Sequence, residues 1–325
     1  MALTLIKLIP FSYRLLLLVT LFLFSSAIYS STIIPDSNKI EPSVYFHYTS
    51  QNKQDKKLIE SLRAHSVFKN ITQFAHQNIN LINNIVFHFV HPNEQASNVP
   101  TEEANNDDFN IFIPFSFFHQ LHQGLLAKYP QQSKVRELIY TGAAEKSLWF
   151  EFGRALISQY GLAILGKEVF ALDNFSTLML LNLNFGNSDY ILDSTEAYLL
   201  VDHSLSLMNA NSYESELELD EHRYRMIVCL ILGKDLPDES RNSAQPYIEL
   251  LDELSWDKER LGQCAHHYKQ KLHAWTEALK PYLKTDNQLK KWLETEGLSS
   301  EEVNAESVSI EKISIENTKK SIGKN

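Results

Sequence analysis

The spacing of apolar residues along the chain predicts a mostly helical protein. Over long stretches, apolar positions recur every three to four residues, which is typical of helices that bury one face. Several of these stretches end at residue types that terminate helices, namely Gly161, Gly233 and Pro281. The predicted helices cover residues 58–82, 116–128, 132–147, 143–160, 167–183, 190–208, 220–232 and 257–280.

Two short segments have the composition of strands instead. Residues 84–90 and 109–114 are rich in β-branched and aromatic side chains, which favour extended backbone. Pro114 marks the end of the second strand or an edge position, because proline cannot donate a hydrogen bond to a neighbouring strand. The polar, acidic residues 93–108 and 209–219 are predicted to form loops.

The first 30 residues have the order of a secretory signal. Lys7 and Arg14 give a positive flank, and small residues follow the apolar run at residues 15–28. That run has 14 residues, whereas a membrane-spanning helix needs about 20. We therefore expect a secreted or periplasmic protein with a cleaved signal at residues 1–30. Anchoring by an uncleaved segment is the alternative.

Composition divides the remaining chain into three parts. Residues 31–57 are polar and are predicted to form a linker, and residues 58–290 are predicted to form one domain. Residues 291–325 contain mostly Ser, Glu, Lys and Asn, which predicts a disordered tail.

Charge and glycine content exclude two classes of function. The chain of 325 residues has a formal net charge of -10, whereas nucleic-acid binders need a basic face. With only 10 glycines, it has no glycine-rich loop of the kind that holds nucleotide phosphates. No nucleic acid is expected as a partner, and no membrane apart from the signal segment.

The chain has two cysteines, Cys229 and Cys264. In an exported protein, a lone pair of cysteines is a candidate disulfide. Two separate buried thiols are the alternative.

Four blocks of sequence contain the residues that are candidates for a functional site. In chain order they are Trp149-Phe-Glu-Phe-Gly-Arg-Ala-Leu-Ile157, Ile164-Leu-Gly-Lys-Glu-Val-Phe-Ala-Leu-Asp173, Asp220-Glu-His-Arg-Tyr-Arg-Met-Ile-Val-Cys-Leu-Ile-Leu-Gly233, and Cys264 with Tyr268 and Trp275.

The order and spacing of these blocks resemble an uncharacterised bacterial family of secreted, predicted zinc metallopeptidases. That family has H-E-x-G-H-A-L-I on one helix, L-G-[RK]-E-E-D-x-A-D on the next, and a later D-E-Q-R block followed by Cys and Gly. The resemblance covers about residues 80–285. It implies an α+β, mostly helical, zincin-like single domain in which a small β-sheet packs on the motif helix.

The family pattern implies a zinc site. Histidines at positions i and i+4 lie on one face of a helix and share the metal, while the glutamate after the first histidine acts as general base. A carboxylate from the next helix would be the third ligand. Zinc bound in this way lowers the pKa of its water to about 7 and polarises the scissile carbonyl.

This chain differs from the family at both histidine positions. Phe150 and Arg154 stand where the resemblance implies histidines, and Glu151 keeps the position of the general base. Phenylalanine has no donor atom, and arginine stays protonated and cannot bind zinc. We therefore expect no metal and no other cofactor, and zinc only in relatives.

The second helix keeps only part of its acidic pattern. Glu168 and Asp173 remain, whereas Val169 and Phe170 replace the other two acids. If the third ligand of the family lies four residues before Asp173, Val169 stands at its position in this chain. If that ligand lies one residue earlier, Glu168 stands there and keeps the carboxylate.

One hypothesis explains these changes together. Arg154 would place a fixed cation among Glu151, Glu168 and Asp173, and Phe150 would fill the remaining space, because buried carboxylates without compensation are costly. The alternative is that Glu151 and Arg154 form an ordinary i, i+3 pair on the surface.

Other polar residues carry weaker signals. Arg223 would bind a substrate carboxylate or oxyanion, or would instead anchor a helix end through Asp220. No carboxylate partner can be assigned from sequence to the histidines, which we expect to be ordinary surface or hydrogen-bonded residues: His88, His91, His119, His122, His266, His267 and His273.

The sequence thus predicts an exported metallopeptidase-like protein that has lost zinc binding and peptidase activity and has a binding or structural role, its partner being a peptide or a protein. One alternative is an active metal-dependent hydrolase with an atypical site, built from Glu151 and Glu168 with a remote histidine. Another is a non-enzymatic envelope interaction protein.

Overall fold

A computed structural model describes residues 42–48, 52–91, 108–164, 166–183, 190–198, 213–235 and 247–295. The predicted signal at residues 1–30 lies outside the described residues, and so does the predicted tail after residue 295. Among the described helices, none has the length and apolar character that crossing a bilayer requires.

The fold combines a small sheet with many helices, as the expected α+β class requires. The elements are β1 (Val44–Tyr48), α1 (Lys53–Ala64), α2 (Val67–Asn78), β2 (Ile85–Val90), β3 (Phe109–Pro114), α3 (Phe115–Lys128), α4 (Ser133–Tyr160), α5 (Glu168–Asn182), α6 (190–198), α7 (Tyr213–Asp235), α8 (Ile248–Leu254), α9 (Lys258–Leu279), a 3₁₀ turn (Lys280–Tyr282) and α10 (Gln288–Thr295).

The three strands form one parallel sheet in the order β1-β2-β3. Both predicted strands are confirmed, and they pair directly with each other along their whole length. Pro114 lies at the last position of β3, which is an edge strand, so its missing N–H costs the sheet little.

The third strand, β1, was not predicted. It lies within residues 31–57, for which polar composition suggested a linker, and α1 also begins there. In β1 the alternate residues Val44, Phe46 and Tyr48 are buried, and a pattern of five residues is too short to stand out from polar neighbours. Ordered structure therefore begins earlier along the chain than the composition indicated.

One face of the sheet packs against helices to form the main core. Phe46 stacks on Phe68 of α2 at 4.3 Å between ring centroids, and Phe89 stacks on Phe118 of α3 at 5.7 Å. Helix α4 runs through this core, where Trp149 and Phe152 are fully buried. The predicted packing of the sheet beside the motif helix is thus present.

Glycines act differently at the ends of two helices. Gly161 ends α4 in the left-handed conformation at φ 58°, as predicted. Gly233 does not end α7, which continues to Asp235. A Cβ at Gly233 would lie 2.1 Å from the backbone oxygen of Cys264, so this glycine allows α7 and α9 to approach closely.

Two predicted irregular segments contain helix. Helix α7 begins at Tyr213, inside the predicted loop at residues 209–219; its first turns are acidic, which the positive end of the helix dipole favours. Helix α10 extends to Thr295, inside the predicted tail. Its Trp292 stacks on Phe74 at 6.1 Å, so this helix belongs to the core.

The predicted disulfide is confirmed. Cys229 of α7 and Cys264 of α9 are bonded and buried, at a sequence separation of 35. The bond holds these two long helices together beside Gly233.

Candidate functional site

The first two of the four sequence blocks lie on the adjacent helices α4 and α5. Along α4, the side chains of Lys146, Phe150 and Arg154 follow at intervals of four residues and therefore form one stripe. Helix α5 packs alongside and begins at Glu168. The two blocks thus do meet in space, as the resemblance implies.

Arg154 lies at the protein surface between two carboxylates. Its Nη1 donates to both oxygens of Glu151, at 2.8 and 2.7 Å, and its Nε lies 3.6 Å from Oε1 of Glu168. The side chain of Arg154 is 45% exposed and that of Glu168 is 50% exposed. Water therefore screens both pairs, and each contributes little to stability.

Phe150 fills the space next to this group. It is only 5% exposed, and its ring lies 6.1 Å from the ring of Tyr198 in α6. The guanidinium of Arg154 lies over the ring of Phe150, 5.2 Å from its centroid. An apolar ring and a cation thus occupy the two positions where the family pattern has imidazoles.

Asp173 belongs to a separate, buried network. It is fully buried and accepts hydrogen bonds from Nε and Nη2 of Arg223 at 2.7 and 3.4 Å. Lys146, also fully buried, lies 3.9 Å from Asp173 and donates to the hydroxyls of Ser176 and Thr177. This network joins α4, α5 and α7.

The hypothesis of one cluster around Arg154 therefore needs correction. Arg154 neutralises Glu151 and Glu168, but at the surface, as in the alternative of an exposed pair. Asp173 is paired with Arg223 instead, because its position on α5 faces α7. Arg223 is itself buried, and its guanidinium faces Asp173.

Val169 and Phe170, which stand where the resemblance implies acids, lie on the partly buried side of α5. Val169 packs against the main core. Phe170 contacts the ring of His222 in α7 at 5.2 Å between centroids. Neither position provides a donor atom, and Glu168 is engaged with Arg154.

The residues present do not fit the zinc site that the resemblance implies. Phe150 and Arg154 cannot bind a metal, and the nearby donors Glu151 and Glu168 are carboxylates paired with a guanidinium. Within the described part of the chain, no group of three His, Cys, Asp or Glu side chains is placed to hold a metal ion. Two carboxylates alone do not make a tight zinc site.

A small cleft of about 120 Å³ lies beside Glu151, between the edge strand β3 and helix α4. Within the described residues, no strand pairs with the outer side of β3. The side chain of Phe112 on this strand is 44% exposed. The cleft is lined by Phe112, Ile113, Pro114, Phe117, Ser147, Glu151 and Tyr198.

Sequence reasoning missed two groups of buried polar residues. Glu145 and Lys146 are buried in the core, and their place inside an apolar stretch was the available signal. Burial raises the pKa of Glu145 to about 7, although hydrogen bonds from Asn70 and Trp149 oppose the shift. The second group is centred on Asp55, which lies in the supposed linker and offered no signal.

Comparison with known protein families gives a match. A family model described as "Putative metallopeptidase" matches residues 47–279, from β1 to the end of α9. No curated protein matches the chain significantly, and no solved structure does.

Proposed function

This chain belongs to that metallopeptidase family, and from this premise we propose that it has lost zinc binding and peptidase activity and acts by binding an extended peptide segment. Its site keeps the position of the general base, Glu151, without the ligands that would make the base useful. The protein is an exported metallopeptidase-like binding protein.

The contacts of Phe150 and Arg154 are the main support for this proposal. Phe150 packs into the apolar space next to Tyr198, and Arg154 forms three polar contacts with Glu151 and Glu168. The guanidinium supplies a positive charge that faces both carboxylates. The side chains present thus pair with one another and offer no imidazole to a metal.

The edge of the sheet supports a peptide as the ligand. In the part of the chain that the structure describes, no further strand pairs with β3, and an edge strand presents main-chain N–H and C=O groups that an extended peptide can pair with. The cleft beside β3 would take a side chain of the bound segment, and the exposed ring of Phe112 offers apolar contact. Because no bond is broken, the peptide is bound and released unchanged.

The disulfide supports export. Disulfides persist in oxidising compartments and are rare in the cytosol. A buried Cys229–Cys264 bond, together with the signal-like pattern at residues 1–30, favours a secreted or periplasmic location.

Metal analysis of the purified protein is the decisive test. We expect no stoichiometric zinc and no hydrolysis of casein peptides, even with zinc added. Tightly held metal at one ion per chain would overturn the proposal in favour of an active enzyme with an atypical site.

A restored variant tests the ancestry of the site. Phe150→His, Arg154→His and Val169→Glu together should create micromolar zinc binding, because histidines at i and i+4 share a helical face. The matched control, Lys290→His with Glu294→His, places the same pair on the exposed surface of α10, where we expect much weaker binding. Equal affinities in a folded variant would show that the α4 site has no metal-binding geometry, which favours the envelope interaction protein.

Peptide binding has its own control. Phe112→Ser should weaken binding of fluorescein-labelled casein peptides several-fold, whereas Leu126→Ser, at a side chain 46% exposed on α3, should leave it unchanged. Absence of binding to the unmodified protein, or equal loss in both variants, would contradict a peptide site at β3.

A further inference from the structure

A buried carboxylate lies beyond the carboxyl ends of the three parallel strands. Asp55 is 0% exposed and lies in the first turn of α1, the helix that follows β1. His91 directly follows β2, and His119 lies in α3, the helix that follows β3. Ligand sites in sheets with parallel strands form at this edge, where the carboxyl ends meet.

Asp55 holds the two imidazoles in place. Nε2 of His91 lies 2.8 Å from one carboxylate oxygen, and Nε2 of His119 lies 2.9 Å from the other. The angles are poor for hydrogen bonds, and among the described residues neither oxygen of Asp55 accepts one from another side chain. The buried carboxylate nevertheless lies directly behind His119, whose side chain stays partly exposed.

His119 lines a cleft of about 400 Å³ between α1, α3 and α4. This volume is in the range of small-molecule sites. The other polar side chains that line it are Gln54, Lys57, Ser61, His122, Ser133, Arg136, Glu137 and Tyr140.

Several of the groups that line this cleft can donate hydrogen bonds. Lys57 and Arg136 can only donate. Burial and the nearby charge of Asp55 raise the pKa of Tyr140, so its phenol stays protonated and also donates. Among the described lining residues, Glu137 alone carries a carboxylate, and it lies 3.8 Å from the imidazole of His65.

Arg136 is preorganised for binding. Its Nη1 donates to the carbonyl oxygens of Tyr129 and Pro130, in the turn before α4. These contacts hold the guanidinium at the cleft, so little side-chain freedom is lost when a ligand binds.

From this arrangement we propose that the cleft binds a small organic oxyanion, a carboxylate or a phosphate ester, through Lys57, Arg136 and His119. Ser61 and Tyr140 contribute neutral hydrogen bonds. The site is distinct from the cleft at Glu151: 11 residues of α4 separate Tyr140 from Glu151, a rise of about 16 Å along the helix. It depends on neither peptide binding nor the loss of zinc.

Calorimetric titration of the full protein tests the site with two probes, succinate and inorganic phosphate. We expect saturable binding of one equivalent of at least one of them. Lys57→Gln should weaken it about tenfold, because a charge-assisted hydrogen bond is lost, and His119→Gln should also weaken it. The control is Lys56→Gln, an exposed neighbour that does not line the cleft, and its affinity should be unchanged.

Each outcome decides between stated alternatives. Binding of succinate but not phosphate identifies a carboxylate ligand, and the reverse identifies a phosphate. No saturable binding of either probe overturns the proposal, and so does an equal loss in the Lys56 and Lys57 variants. Lys57 is exposed, so its variant remains informative if His119→Gln fails to fold.

Discussion

Replacing Asp173 by asparagine should destabilise this protein more than replacing its partner Arg223 by methionine. Asp173 is the carboxylate between two buried cations, Arg223 at 2.7 Å and Lys146 at 3.9 Å. Asparagine removes the negative charge that both cations face. Methionine removes only one cation, and Lys146 still faces the remaining carboxylate.

The distances set the magnitudes. At an effective dielectric constant of about 20, unit charges 2.7 Å apart attract by about 6 kcal/mol, and charges 3.9 Å apart by about 4 kcal/mol. Desolvation offsets much of this attraction, and breaking a buried ion pair typically costs about 3–5 kcal/mol. We expect losses of about 4–5 kcal/mol for Asp173→Asn and about 2–3 kcal/mol for Arg223→Met.

Urea unfolding followed by tryptophan fluorescence measures both losses at neutral pH. The control is Lys280→Gln, which breaks the exposed pair with Glu277 and should cost less than about 1 kcal/mol. If Asp173→Asn costs no more than Arg223→Met, or if both resemble the control, then burial does not give this network its strength.

Three further predictions concern other buried features. Because the pKa of Glu145 is raised to about 7, the folded state keeps a proton that the unfolded chain releases above its ordinary pKa of about 4.3; stability should fall as pH rises between these values. The free energy of unfolding of Glu145→Gln, measured in urea relative to that of the unmodified protein, should therefore rise by about 2–3 kcal/mol from pH 5 to pH 8. A difference that does not change with pH would contradict this. Gly153→Ala should cost about 1–3 kcal/mol, because the new Cβ would lie 2.7 Å from a buried aromatic ring. Gly124→Ala, which meets nothing within 4 Å, should instead stabilise α3 in the same thermal-unfolding assay. Replacing Cys229 and Cys264 by serine should cost about 3–4 kcal/mol in chemical unfolding, and an unchanged midpoint would refute a stabilising role.

Local patterns predicted much of the fold because they report burial of one face. Residues 84–90 and 109–114 were recognisable as strands from β-branched and aromatic content, and Gly161 as a helix end from its backbone freedom. The first strand was missed because burial of Val44, Phe46 and Tyr48 comes from pairing with β2 and packing on α2. Such long-range contacts leave almost no trace in five residues of sequence.

The candidate site was predictable in its residue types but not in its pairings. Phe150 and Arg154 can be read as unable to bind zinc from the sequence alone, since this depends only on side-chain chemistry. The partner of Arg154 on the next helix, Glu168, follows from how α4 and α5 cross. The separation of Asp173 from that group depends on the direction in which α5 presents it, toward Arg223 on α7.

By itself, the amino-acid sequence determined a helix-rich chain with two strand-like segments, the pair of cysteines available for a disulfide, and the absence of histidine at positions 150 and 154. Composition and local spacing are sufficient for these, because each depends on residue type and on neighbours within a few positions. Only the tertiary structure decided that Arg154 is a surface cation, that Arg223 is buried against Asp173, and that Asp55 joins His91 and His119 beside a cleft. Each of these depends on chain segments far apart in sequence that the core brings within a few ångströms, where burial determines how strongly the charges interact.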